Sequence, residues 1–202
     1  MLKKWFADKY KSSLKDVGSM VDQIGYVESK NVADSVQKSN VYDESGNKVK
    51  GKFKEGPGRG LFQFETKGGS GAFQTALNRL ENVYTRHLKD EVPSWVKSAR
   101  EHDDASKLTA EQQEDLLLAD LSMKSIEDTK GLGDKLISEA LTSGSAKELW
   151  LRGHWAGAES GSEDYKMKGG QWEKEMGTYE SPFKDNTTEE MIGLMTKDTG
   201  KT

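Results

Sequence analysis

The chain has 202 residues, a formal net charge of -4 from 30 basic and 34 acidic side chains, and a mean hydropathy of -0.83. That length suits one domain with tails, and 33% hydrophobic against 32% charged residues implies a modest core. The acidic balance argues against general nucleic-acid binding, and the lack of cysteine excludes disulfides and thiolate metal sites.

The start, MLKKWFADKYKSSLKD, is basic but lacks the continuous apolar stretch of a secretory signal, so no signal peptide is expected. No segment of the chain reads as a membrane span. Trp5, Phe6 and Tyr10 read either as a helical turn packed on the domain or as a membrane-surface segment. Val17, Met20, Val21, Ile24 and Val27 then recur at helical spacing and predict a helix from about Leu14 to Ser29. Glu28 falls in its last turn, where the helix macrodipole disfavours an acid. Unless chemistry explains it, it is a solvated helix-end carboxylate.

Val41 and Tyr42, then Val49 and Phe53, flank the turn formers Glu44, Ser45, Gly46 and Asn47 and predict a small hairpin. GPGRG follows, and three glycines in five residues predict a sharp turn able to approach a ligand closely. Its spacing fits neither a Walker loop nor a dinucleotide fingerprint.

Beyond GGSG, the residues Phe73, Ala76, Leu77, Leu80, Val83, Tyr84 and Leu88 trace an amphipathic helix. Ser94 follows Pro93 as the cap of a short helix with Trp95, Val96 and Ala99. Thr109 and Gln112 form a capping box before Leu116, Leu117, Leu121 and Ile126. Gly131 and Gly133 separate this helix from Leu136, Ile137, Ala140 and Leu141. Ser145 and Glu148 read as a second capping box, opening a helix that holds ELWLRGHWAG. Residues 158–177 are polar and glycine-broken and read as loop, and Thr187 with Glu190 caps a last helix carrying Met191, Ile192, Leu194 and Met195. The fold class is α+β, mainly helical, with its sheet to one side. Residues 1–157 form the domain, and 158–202 are a polar C-terminal extension with a short helix.

Of the three histidines, His87 reads as structural, and His102 has no metal-ligand spacing around it. Neither a metal nor another cofactor is expected, and a nucleophile-elbow serine is missing. Carboxylate chemistry remains: Glu28, with Asp43, Glu44, Glu55 or Glu65 as possible second acids. Cleaving a glycosidic bond needs a protonated carboxyl beside the leaving oxygen, and Tyr26, Val27 and the LFQF aromatics offer an apolar wall for one.

Glu28–Ser29, then GRGLFQFE, then GHWAG, resemble in order the motifs of the lysozyme-like lytic transglycosylase and muramidase superfamily. That family has a helix-ending Glu–Ser, a Gly–Leu–Met–Gln turn and a later Ala–Tyr–Asn–Ala–Gly segment. Gly60, Leu61, Phe62 and Gln63 match the turn, with Phe62 for methionine. Gly153, His154, Trp155, Ala156 and Gly157 match the third motif, with His154 and Trp155 for tyrosine and asparagine. An indole cannot reproduce both the donor and the acceptor of an asparagine.

The resemblance implies a hairpin lobe beside a helical body. In it, Glu28 is the acid cleaving the β-1,4 bond between N-acetylmuramic acid and N-acetylglucosamine in peptidoglycan. Ser29, Arg59, Gly60, Gln63 and His154 become substrate-binding candidates, and Glu44 and Glu65 the leading second acids. Without a second acid, the substrate's own hydroxyl closes a 1,6-anhydro ring. With one, a separation of ~5–5.5 Å implies retention and ~6.5–9.5 Å inversion. The expected setting is a bacteriophage virion acting on the host periplasm or wall, docked through its terminal segments to other virion proteins. A host-lysis endolysin, an inactive structural or ejection protein of this fold, and a non-catalytic carbohydrate-binding module are the other readings.

Overall fold

The computed structural model describes residues 1–128, 131–154 and 158–183. Within them the fold is α+β: helices dominate, and one three-stranded antiparallel sheet, ordered β1-β2-β3, stands beside them.

Helix α1 (Leu2–Lys9) buries Leu2 and Phe6, with Trp5 and Tyr10 half-buried against the same core. The aromatic run at the N-terminus is therefore a helical turn packed on the domain. Helix α2 (Leu14–Ser29) has the bounds its apolar spacing predicts. It starts at Ser13, whose hydroxyl accepts from the Asp16 amide at 3.0 Å, a cap worth about 1 kcal/mol. It stops because Lys30 and Asn31 both turn left-handed, and their amides close back onto the carbonyls of Tyr26 and Gly25.

Strands β1 (Val36–Tyr42) and β2 (Lys48–Arg59) make the expected hairpin, and β3 (Phe64–Glu65) adds a short third rung. Of the glycine-rich segment only Gly60 enters the expected turn, at residues 60–63. Gly56, Pro57 and Gly58 stay in β2, where all three oppose the single residue Gln37, because Val36 pairs with Arg59 and Lys38 with Glu55. A Cβ on Gly56 would run into Ser39 Oγ and the Gln37 side chain, and one on Gly58 would be tight against Gln63 and Gln37, so these glycines serve close approach inside a bulge. Proline, with no amide hydrogen, is tolerated at such a place.

Helix α3 (Ala72–Asn82) continues as a π-helical segment (Val83–Leu88). Helix α4 (Trp95–His102) begins after Ser94, although that serine makes no side-chain cap. Helix α5 (Ala110–Glu127) opens with both hydrogen bonds of the Thr109–Gln112 capping box. It is the hub of the body, packed by α1, α3 and α6 (Leu132–Ser143), and every residue from 116 to 123 is buried. Asp120 lies inside that run because Arg79 and Lys124 reach its two oxygens at 2.8 and 2.9 Å. Ile126, expected on the apolar face, is exposed at the helix end.

Two expectations fail in the C-terminal half. Ser145 does not head a capping box: α7 (Lys147–Leu149) has Ala146 at its cap position, and Glu148 accepts instead from the Tyr165 hydroxyl. The segment read as loop contains a helix, α8 (Glu163–Met176). Ser162 caps it on the Tyr165 amide, two acids occupy its first turn, and its one buried residue, Trp172, lies against Trp150 with ring centroids 5.6 Å apart. Trp172, the partly buried Tyr165 and Met176, and polar ties including Lys30 to Glu175 and Lys147 to Glu173 hold it to the body. The expected helix at residues 187–195 lies outside the described residues.

Candidate active site

The last turn of α2 carries Glu28 and Ser29 to the place where three parts of the chain meet. The Ser29 hydroxyl donates to the Leu61 carbonyl at 2.9 Å and accepts from the Val32 amide at 3.2 Å. It thereby ties the helix end to the turn at residues 60–63. Beside it, a Phe62 ring carbon lies 3.3 Å from where a Cβ on Gly25 would stand, so the turn packs directly on α2.

On its other side, Glu28 meets the π-helical segment Trp150–His154 that extends α7. Trp150 is 1% exposed, and its indole N–H donates to Glu28 Oε1 at 2.6 Å. A buried indole needs an acceptor, and a carboxylate at a helix C-terminus, opposed by the macrodipole, gains from a donor. Each group removes the other's penalty. Indole nitrogen only donates, so Oε1 is the acceptor in this bond. The apolar neighbour of the acid is thus Trp150. Tyr26, expected in that role, turns elsewhere: its hydroxyl bonds Thr178, and its ring contacts Tyr179 and lies under the Lys30 ammonium.

Two buried glutamines that the sequence reading passed over set the frame. Gln113, 0% exposed on α5, accepts the Leu61 amide at 2.6 Å and donates to the carbonyls of Ala33 and Leu108 at 2.9 and 3.0 Å. A Cβ on Gly60 would run into this amide, and Gly60 also has φ +78°, so glycine is required there twice over. Gln23, buried on α2, donates to the Gly144 carbonyl at 2.8 Å and accepts from the Ala146 amide at 3.1 Å. That clamp sets the start of α7 and with it Trp150. The sequence held one signal for both: an uncharged polar residue among core-facing apolar ones, which burial obliges to find partners.

The other candidates divide. Gln63, at φ +50°, donates from its side chain to the Gly60 carbonyl at 2.7 Å and so closes the turn itself. Arg59, with 15% of its side chain exposed, donates to the carbonyls of Gly56 and Gly58 and pairs with Glu55 at 3.4 Å. Glu65 accepts the Ser70 amide at 2.8 Å and fixes the loop after β3. Glu44 is exposed in the hairpin turn, beyond the far end of β1, a strand that spans roughly 20 Å from Val36 at about 3.3 Å per residue. Of the third motif, Gly153 and the backbone of His154 end the π-helical segment, while the His154 side chain and residues 155–157 lie outside the described residues.

Elsewhere, His87 lies beside Trp5 with the rings tilted, and His102 Nδ1 accepts the Asp104 amide, its pKa lowered mainly by burial. Among the described residues, no group of three or more His, Asp or Glu side chains is placed to hold a metal ion, and no helix is long and apolar enough to cross a membrane. Comparison with known proteins finds no matching family model, no similar curated protein and no similar solved structure.

Proposed function

We propose that the chain is a lysozyme-like peptidoglycan-cleaving enzyme in which Glu28 is the general acid. One observation carries this reading: Glu28–Ser29 touches the 60–63 turn through Ser29 and Leu61, and the helix bearing the third motif through Trp150. The turn and the segment that leads into the third motif, about thirty and over a hundred residues away in the chain, thus both meet the end of α2 at Glu28–Ser29. In this role Glu28 protonates the oxygen linking N-acetylmuramic acid to N-acetylglucosamine, from the oxygen that Trp150 does not hold. With Glu65 and Glu55 engaged locally and Glu44 in the hairpin turn, the route through a 1,6-anhydro product is the favoured one. The biological setting we propose is a phage particle that opens the host wall during genome delivery, with host lysis as the alternative.

Purified peptidoglycan, followed by loss of turbidity, tests the acid. Glu28→Gln, close to isosteric and still able to accept from Trp150, should clear the wall at least about 100-fold more slowly with an unchanged melting temperature. Clearing that survives the substitution removes Glu28 from the role. Mass spectrometry of the released fragments then separates anhydro from reducing ends.

A second reading, an inactive structural protein of the same shape, is favoured by the local engagement of Arg59 and Gln63, which are turn-builders. No clearing by the folded wild type would select it.

A further inference from the structure

The hairpin is basic in an acidic protein. Residues 36–59 carry five lysines and Arg59 against Asp43, Glu44 and Glu55, while the whole chain is at -4. Lys48, Lys50, Lys52 and Lys54 alternate along β2, Lys38 stands on β1, and all five are exposed. Among the described residues none of the five meets a carboxylate at ion-pair distance, whereas Arg59, the other cation, is engaged with Glu55 and with backbone. Two large apolar side chains are also left in solvent here: Tyr42 at 60% and Phe53 at 56% exposure. Phe53, Lys38, Lys54 and Glu55 border a groove of about 450 Å³ along the strands. The base of this hairpin, where Val36 pairs with Arg59, adjoins Gly60 and so the turn that packs on the last turn of α2.

Among the described residues these lysines have no acidic counterpart, and aromatic side chains in water gain by covering a ligand. We propose that this hairpin is an arm that holds the carboxylate-bearing peptide stems of the wall polymer while the glycan lies at Glu28. This rests on the proposed function and gives the substrate a chemistry: glycan strands with their acidic stems intact. It also places substrate contact on the lysines, while Arg59, a substrate-binding candidate, is engaged within the hairpin. The ladder along β2 offers repeated, mobile point charges, which suit carboxylates on flexible stems better than a fork fixed to backbone carbonyls.

Co-sedimentation of the full chain with insoluble peptidoglycan, across a salt series, reads this directly. The chain with Lys48, Lys50, Lys52 and Lys54 all changed to Gln should be retained about tenfold more weakly than wild type and lose most of its salt dependence. Its melting curve should be unchanged, since these side chains are exposed. A matched variant with Lys4, Lys15, Lys135 and Lys166 changed to Gln should be retained like wild type. Wall whose stem carboxylates have been amidated should retain the wild type about tenfold more weakly. Equal retention of the hairpin variant, equal loss in the matched variant, equal retention on amidated wall, or no retention of wild type each overturns the proposal. Tighter binding of a single-stranded oligonucleotide than of intact wall also overturns it, and reassigns the arm to nucleic acid. Retention and clearing fail independently. Loss of clearing in Glu28→Gln with undiminished retention of the hairpin variant sinks the arm alone, and the opposite pattern sinks the acid alone.

Discussion

Replacing Gln113 by leucine keeps the volume and removes three hydrogen bonds at one stroke. The Leu61 amide loses its acceptor, and the carbonyls of Ala33 and Leu108 lose their donor. Two of these bonds are fully buried, and the third is partly within reach of water. An unsatisfied buried group costs ~1–3 kcal/mol, and the leucine returns roughly 1 kcal/mol of apolar burial, so the net loss is about 3 kcal/mol. For a chain of this size each kcal/mol lowers the melting temperature by ~2–4 °C, which puts the drop at about 6–12 °C. Gln113→Glu is a sharper control. It still accepts from Leu61 but turns an acceptor toward two carbonyls and buries a charge, so it should be at least as damaging. Thermal unfolding by circular dichroism at neutral pH measures both. Gln113→Leu melting within ~2 °C of wild type would refute the claim that this side chain braces the turn beside the acid.

Three further outcomes are expected. Trp150→Phe frees Glu28 Oε1 from its donor and thins the contact with Trp172, so clearing should fall by about tenfold and the melting temperature by several degrees. Unchanged clearing would show that the indole hydrogen bond is only structural. Ser29→Ala removes the link to Leu61 and should cost about 1 kcal/mol, seen as a melting-temperature drop of ~2–4 °C. Burial, reinforced by Glu111 and Glu114, pushes the Asp115 carboxyl up to about 6 against partial relief from the N-terminal ammonium. A carboxyl raised in the folded state is most favourable below its unfolded pKa near 4, and that benefit is lost as pH rises through about 6. Asp115→Asn should therefore stabilise at pH 7.5 by about 1 kcal/mol after allowance for solvent screening, and by nothing at pH 4. Melting curves at the two pH values decide it, and an equal gain at both would exclude ionisation as the cause.

Local signals were legible and distant ones were not. The bounds of α2, the hairpin and the Thr109–Gln112 box follow from periodicity, turn formers and a side-chain-to-backbone pair three residues apart. Glu28 was visible as an acid at odds with the helix dipole. Its partner was not, since Trp150 stands 122 residues away and any apolar helix accommodates a tryptophan. Gln23 and Gln113 were hidden similarly: their partners are backbone groups of remote segments, which have no sequence signature. Helix α8 was missed for the reverse reason. Its apolar residues are sparse, with only Trp172 fully buried, and a serine cap and charges from distant parts of the chain support it. The glycines of β2 were misassigned because glycine serves both tight turning and close packing, and only the neighbour, here Gln37, distinguishes them.

The three-against-one bulge opposite Gln37 also bears on how copies of the chain behave toward each other. β1 is an edge strand, and a flat seven-residue edge is a template on which another chain can add a strand. Here the ladder is broken twice, on either side of the Lys38–Asn40 stretch, and a lysine stands on the edge itself. Such bulges bend and twist the paired strands, and the lysine places a charge on the free edge. The irregularity that seats Gly56 against Gln37 is thereby also a feature of the kind that turns an edge strand away from pairing with another chain.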